Sequence, residues 1–425
     1  MNKGWERKKL GEVCEVLDNL RKPITKRDRI EGKYPYYGAT GILSYVDNFI
    51  FDEKLVLIGE DGAKWDSGDK TAFIADGKYW VNNHAHVVRP NRKTLLDEWL
   101  IYFLNFSDLT PFISGMTVPK LNQERMRSIP IPLPPLPEQH RIVSILDQCF
   151  SAIDKAKANA EQNLKNVKEV FESYLQGVFA SAGSAKGLIS KDENDSNDGQ
   201  FGQNESPESL KSLKTNENEM VIKSEWEVRK LGEISKINYG YTEKAFFENI
   251  GPKFLRITDI QENGVDWATV PYCKCSDTDV QKYKLETGDI VFARTGATTG
   301  KSYLLKNPPN AVFASYLIRL KINKKEDFIP EFVAYFFQTK SYWEKINEGI
   351  SGSAQGGFNA TKLSELDFSF PKSKAEQQLL VRQLDALHAE TQKLETIYQK
   401  KIDNFAELKK SILGKAFRGE LNYNE

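Results

Sequence analysis

A chain of 425 residues, 40% hydrophobic and 28% charged, has the make-up of a soluble globular protein of two or three domains. Its 59 Lys and Arg balance 59 Asp and Glu, so binding to nucleic acid cannot rest on net charge and would need basic and acidic faces set apart. Four cysteines are too few for a disulfide scaffold, no apolar run approaches the roughly 20 residues of a membrane span, and Met1–Lys9 has no apolar core behind its charges, so a cytoplasmic location is expected.

In chain order, residues 1–136 read as a mixed α/β domain. Strands are expected at 54–59 and 85–88, with glycine-bearing turns between them, and an amphipathic helix near 95–107. Residues 137–182 then carry a helical seam of small and apolar side chains: Ile142, Leu146, Cys149, Ile153, Ala156, Ala160, Leu164, Val167, Val170 and Tyr174. Pro137 suits the first turn of that helix and Gly183 its end. Residues 183–220 are polar, with one aromatic (Phe201) and no apolar period, and read as a flexible linker. Residues 221–372 form a second α/β domain, with strands expected at 289–294 and 316–320 and a helix near 328–346. Residues 373–419 hold a second long helix, opened by Ser373 and Glu376 at capping-box spacing and closed by Gly419.

The chain is written twice. Trp5–Val13 returns as Trp226–Ile234, and Ala85–Arg89 aligns with Ser315–Arg319. Glu98–Phe103 aligns with Glu331–Phe336, Ile113–Gly115 with Ile350–Gly352, and Lys120-Leu121 with Lys362-Leu363. The second helix repeats the seam of the first stride for stride: Leu380, Leu384, Leu387, polar Thr391, Leu394, Tyr398, Ile402, Phe405, Leu408 and Ile412. Strides of 3 and 4 mark a narrow stripe of period about 3.5, which a helix near 65 Å long must bury on another helix. Each helix is the natural partner of the other. An antiparallel pair would carry the two domains at opposite ends about a pseudo-two-fold axis. Two-fold symmetry with fixed spacing is how proteins read two DNA half-sites. The two domains differ in most residues, so the half-sites should differ and the target should be bipartite and non-palindromic.

One family resembles this layout. Pro132–Val143 is similar to the segment that follows a target recognition domain in specificity subunits of type I restriction-modification systems. Tyr36–Gly41, Gly59–Ala63, Asn82–His86 and Ala293–Ala297 are similar to recurring segments of those domains. The second copy departs from the pattern at Pro371–Gln377, which lacks the proline-rich approach. The resemblance implies an α+β fold of two target recognition domains joined by two long helices in an antiparallel coiled coil. It also implies a ruler role for the helices and partners in the form of double-stranded DNA, two methyltransferase subunits and restriction (motor-nuclease) subunits. By the same resemblance this chain binds no cofactor, while S-adenosylmethionine, ATP and Mg belong to the partners.

Catalytic motifs fail on their own chemistry. Gly296–Ser302 resembles a phosphate-binding loop, but Thr295 stands where the first glycine is needed. Asn307-Pro308-Pro309-Asn310 lacks the aromatic that stacks on a flipped base in amino-methyltransferases, and reads as a turn. Asp52-Glu53-Lys54 lacks an upstream acidic partner for a nuclease metal, and Cys273/Cys275 is a lone C-x-C read as reduced thiols on one strand face. The alternatives are a self-contained DNA methyltransferase or nuclease and a coiled-coil protein scaffold. Candidate DNA contacts are long polar side chains on loops beside the matched strands: Lys64, Trp65, Asn82, His84 and the phosphate contact Lys120 in the first domain, and Arg294, Thr298, Lys301 and Gln355 in the second.

Overall fold

The computed structural model describes residues 5–115, 117–180, 225–261, 264–323, 327–351 and 358–421; the 183–220 segment, Gly183 and Gln355 lie outside them. The chain divides into two compact units, Met1–Leu164 with Thr396–Glu425, and Lys165–Glu395. No described helix is long and apolar enough to cross a membrane.

The first unit holds strands β1 (Glu6–Lys9), β2 (Cys14–Val16), β3 (Tyr34–Gly38), β4 (Gly41–Val46), β5 (Phe51–Asp52), β6 (Leu55–Gly59), β7 (Ala72–Ala75), β8 (Lys78–Val81), β9 (Ala85–Pro90) and β10 (Pro130–Leu133). They form sheets ordered β2-β9-β6-β7, β4-β3-β8-β5 and β1-β10. All five residues of β6 are buried, as a central strand covered on both faces requires. Helix Asp97–Phe106 packs Trp99, Leu100 and Leu104 into the core. That core also takes Ile142, Val143 and Leu146 from the long helix Leu136–Ala180. From the far end of the second long helix, Lys374–Arg418, come Ala416, Ile412, Leu413 and Phe417. Phe417 sits edge-on to Trp99 at 4.9 Å. Each fully buried aliphatic side chain here is worth roughly 1.5–3 kcal/mol.

The second unit holds β11 (Trp226–Lys230), β12 (Ser235–Tyr239), β13 (Lys253–Leu255), β14 (Ile260–Gln261), β15 (Gly264–Val265), β16 (Ile290–Ala293), β17 (Ser302–Leu304), β18 (Ala311–Phe313), β19 (Leu317–Ile322) and β20 (Asp367–Pro371). The four-stranded order β12-β19-β16-β17 repeats β2-β9-β6-β7, and β11-β20 repeats β1-β10. The parallel pair β13-β18 answers the parallel pair β3-β8. The single helix expected near 328–346 is two, Pro330–Phe336 and Lys340–Ser351. Thr339 makes the break: its hydroxyl donates to Phe336 O at 2.7 Å and accepts from Tyr342 N–H at 3.3 Å, capping the second helix. Phe171, Leu175, Val178 and Phe179 of the first long helix complete this core, with Phe179 stacked 5.1 Å from Phe332.

Both long helices are 45 residues, about 68 Å at 1.5 Å per residue. In the first unit, Arg141 Nη2 donates to Leu421 O at 2.9 Å and Lys409 pairs with Asp154 at 2.5 Å. In the second unit, Phe171 meets His388 at 4.9 Å and Tyr174 OH donates to Gln383 at 3.0 Å. In each unit the partner number falls as the helix number rises, so the pairing is antiparallel. Ile142, Leu146, Ile153, Val167, Leu384, Leu394 and Tyr398 are buried, and Leu164, Leu380, Leu387, Ile402 and Phe405 half-buried, as the seam requires. Thr391 is also buried, its hydroxyl turned back to His388 O at 2.9 Å. The seam expectation fails at Val170, Tyr174 and Leu408, which are 38%, 38% and 45% exposed. There the helices reach the heads, and the buried face follows the head (Phe171 beside Tyr335, Phe179 beside Phe332 and Phe336), a rotation that the drift of a 3.6-residue helix from a 3.5-residue seam permits. Ser373 caps the second helix by accepting from Glu376 N–H at 3.4 Å, and Gly419, at φ +72°, ends it.

The repeat holds at the level of hydrogen bonds. Gln139 and Gln377 are both wholly buried. Gln139 accepts from Leu96 N–H and donates to Thr94 O and Pro134 O. Gln377 accepts from Ile329 N–H and donates to Asp327 O and Pro371 O. Tyr102 donates to Asp147 and Tyr335 to Asp385, both at 2.5 Å. Arg89 pairs with Glu53 just before β6, and Arg319 lies 3.7 Å from Asp289 just before β16. One alignment changes. Asn122 and Asn359 are the matching N-caps, accepting from Arg125 N–H and Lys362 N–H. Buried Met126 therefore answers Leu363, and Lys120-Leu121 does not answer Lys362-Leu363.

Candidate nucleic-acid interface

At the end of β6 in the first unit, three loops meet. Glu60 N–H donates to His84 O at 2.9 Å, and Leu121 N–H to Glu60 O at 2.8 Å. Ser114 and Lys120 exchange both backbone bonds at 2.8 Å around Gly115, whose φ of +92° suits glycine. Beneath the loops lies a buried polar network. His86 Nδ1 faces Asp18 Oδ2 at 2.6 Å and Nε2 faces Leu121 O at 2.7 Å, so one imidazole ties two loops. Arg21 reaches Glu60 at 2.5 Å and Ala85 O at 2.8 Å, and Lys120 reaches the other Glu60 oxygen at 2.7 Å. Burial pushes the Asp18 carboxyl up, but bonds from His86, Gln123 and Val87 N–H outweigh it and hold it below the ordinary carboxylate value. Among the described residues, Asp18, Glu60 and His86 are the one group with metal-ligand spacing. Arg21 and Lys120 already hold its carboxylates, so it reads as a salt-linked brace for the loops.

The brace decides which candidates face outward. Lys64 is exposed, Lys120 has a side chain 42% exposed, and His84 is 51% exposed and hydrogen-bonded to Asp61. Trp65 and Asn82 are corrections. Trp65 is buried in the core with Nε1 donating to Gly59 O at 3.3 Å, and Asn82 is 2% exposed with its side-chain oxygen accepting from His84 N–H at 2.8 Å. Both shape the loops from inside and present nothing to a duplex. The Gly59–Ala63 and Asn82–His86 segments pointed to this place, but Asp18 and Arg21, far off in sequence, carried no signal.

In the second unit the matching strand ends carry different chemistry. Arg294 lies over the Tyr239 ring at 4.8 Å. Its backbone N–H donates to Tyr316 O at 3.1 Å, and Tyr316 is 63% exposed. Thr298 and Lys301 sit on the turn from β16 to β17, with Lys301 N–H donating to Thr298 O at 2.9 Å and Lys301 exposed. The exposed rings Tyr239 and Tyr316 were missed because an aromatic in a strand pattern reads as core. Cations beside aromatic rings on loops can meet phosphates and stack on or contact base edges.

The other motifs have structural occupations. The Gly296–Ser302 turn leads into a strand, where a phosphate-binding loop needs a helix. Asn307, at φ +48°, is a turn residue. Glu53 pairs with Arg89, and Lys54 with Glu98 and Asp97. Cys273 is buried, with its thiol pushed up to about 12 chiefly by burial, and lies outside any strand together with half-buried Cys275.

Two like scaffolds bearing unlike loops, each completed by an end of both long helices, define a two-headed recognition protein. The comparisons make the class particular. The type I restriction modification DNA specificity domain family matches residues 2–165 and 223–404, and this chain belongs to that family. It is 24% identical over 422 residues to the MjaVIII specificity subunit of Methanocaldococcus jannaschii, covering 96% of this chain and 88% of that one. It is 25% identical to the EcoKI specificity subunit of Escherichia coli K12, over 79% of this chain and 68% of that one. A Haemophilus influenzae protein named as a type I restriction enzyme specificity subunit is 40% identical over 142 residues, 33% of this chain and 36% of its own length. Among solved structures, a chain from work on assembly and conformational transition of the type I R-M system matches with TM-score 0.67 at 18% identity, over 99% of each chain, and so shares the fold.

Proposed function

We propose that this chain reads DNA for the other subunits of a type I restriction-modification complex, with one head per half of a bipartite, asymmetric site. The helix pair sets the gap between the halves and seats two methyltransferase subunits. Those partners carry S-adenosylmethionine and methylate adenine, restriction subunits bring ATP and Mg chemistry, and this chain catalyses nothing itself. The observation that carries the reading is the repeat itself: the framework is the same in both heads down to Gln139 and Gln377, while the loop chemistry is not. Equal frames with unequal loops read unequal half-sites. Of the named contacts, Lys64, His84, Lys120, Arg294, Thr298 and Lys301 belong to this reading. The test is co-expression with a cognate methyltransferase and mapping of methylated adenines. A two-part asymmetric motif is expected; no motif, or a continuous palindrome, contradicts the reading.

A further inference from the structure

A chain whose charges balance overall carries a short basic stretch in its first head. Residues 21–33 hold six Lys or Arg (Arg21, Lys22, Lys26, Arg27, Arg29, Lys33) against Asp28 and Glu31, a surplus of four. The corresponding connection in the second head, residues 240–252, holds Lys244 against Glu243 and Glu248.

The stretch is a strap fixed across the sheet β4-β3-β8-β5. Lys22 N–H donates to Val81 O at 3.3 Å, Trp80 Nε1 donates to Lys22 O at 2.6 Å, and Ile24 N–H donates to Tyr36 OH at 2.9 Å. Farther along, Arg29 Nε donates to Ile24 O at 3.1 Å and Asp47 N–H to Ile30 O at 3.2 Å. Two of the six cations are committed inside: Arg21 to Glu60, and Arg29 over the Tyr36 ring at 4.3 Å. The other four, Lys22, Lys26, Arg27 and Lys33, are exposed. Arg27 is 87% exposed and meets its neighbour Asp28 at 3.5 Å, and Lys33 lies over the Tyr34 ring at 5.3 Å. Through Arg21 the strap starts on the same Glu60 that holds Lys120, so its free cations extend the candidate interface of the first head.

We infer that this strap is a phosphate-binding track, peculiar to the first head, that grips the DNA backbone beyond the bases the head reads. The inference rests on the DNA-reading function proposed above and adds an asymmetry to it. A backbone immobilised by several hydrogen bonds, with its cations turned to solvent, suits a regular row of phosphates, and such contacts give affinity without sequence preference.

The test measures DNA affinity against salt for the complex with its methyltransferase subunits, on a duplex carrying the mapped motif and on one without it. The variant K22Q/K26Q/R27Q/K33Q is expected to lower the slope of log affinity on log salt by up to about 3.6, at about 0.9 per lost phosphate contact, on both duplexes. The mapped motif should stay the same, and K22R/K26R/K33R should keep the wild-type slope, which separates charge from folding. An unchanged slope in the glutamine variant overturns the strap while leaving the DNA-reading function standing. So does loss of the methyltransferase subunits with the slope intact, which makes the strap a protein-binding surface. A wild-type complex that binds neither duplex overturns both.

Discussion

Gln139 offers the sharpest test of how a head is fixed to its helix. The side chain is wholly buried and makes three hydrogen bonds, to Leu96 N–H at 2.9 Å, Thr94 O at 2.8 Å and Pro134 O at 2.8 Å. In Gln139→Ala, the Leu96 donor and two carbonyls lose their partner, Pro134 O in the buried interior and the other two at its edge, at about 1–3 kcal/mol for each group left unsatisfied. Partial relaxation brings the expected loss to about 3–5 kcal/mol, a large share of the roughly 5–15 kcal/mol that holds a domain folded. Gln139→Glu is the discriminating variant. It keeps the shape and the bond from Leu96 N–H, but puts one acceptor oxygen in place of the nitrogen that donates to both Thr94 O and Pro134 O, so it should cost at least as much as alanine. Urea unfolding of the full chain, followed by circular dichroism, reads both. Gln377→Ala should behave alike, since its side chain makes the matching three bonds. If Gln139→Glu stayed within 1 kcal/mol of wild type, the carboxamide would not be the clamp and the reasoning would fail.

Three further outcomes follow from the heads. Burial, the largest influence, pushes the Asp289 carboxyl up and the Arg319 guanidinium down; Arg319→Met strands that carboxylate and also loses the bonds to Lys284 O, Lys282 O and Asn238, so it should cost about 3–5 kcal/mol, and Asp289→Asn on top should restore in thermal unfolding only the share owed to the unpaired carboxylate. Asp18 titrates below its ordinary value of 3.8, so its stabilisation is fully present above that pH and is lost as pH falls through the lower folded-state value. Asp18→Asn should therefore flatten the fall in urea midpoint between pH 4 and pH 2, and an unaltered fall would contradict the brace. Tyr102→Phe and Tyr335→Phe should each lose about 1 kcal/mol, through Asp147 and Asp385 respectively, and a large inequality would argue against equivalent frames.

What the sequence disclosed was periodic or repeated. Strides of 3 and 4 revealed the helices and their partner faces, and ordered matches at slowly growing offsets revealed the two heads. Even polar Thr391 kept its seam position, because its hydroxyl is satisfied within its own helix. What escaped was set by contacts between distant residues. Whether Trp65 or Lys64 faces outward depends on which side of the loop meets the core, and Gly59 O and the buried cluster decide that. The loop brace joins Asp18, Arg21, Glu60, His86 and Lys120, five residues with no common spacing. The mistaken match of Lys120-Leu121 to Lys362-Leu363 shows the same limit: two identical letters outweighed the N-caps Asn122 and Asn359, whose meaning is geometric.

The claim on which the rest stands is that the helix pair sets the distance between two independent readings of DNA. Inserting seven residues near the midpoint of each long helix adds about 10.5 Å of helix, close to three base pairs at about 3.4 Å each, while keeping the seam in phase. Sequencing of methylated adenines from cells carrying this variant with its methyltransferase should show both half-sites unchanged and the gap between them longer by about three base pairs. A gap that stays the same, or half-sites whose bases change, would contradict it.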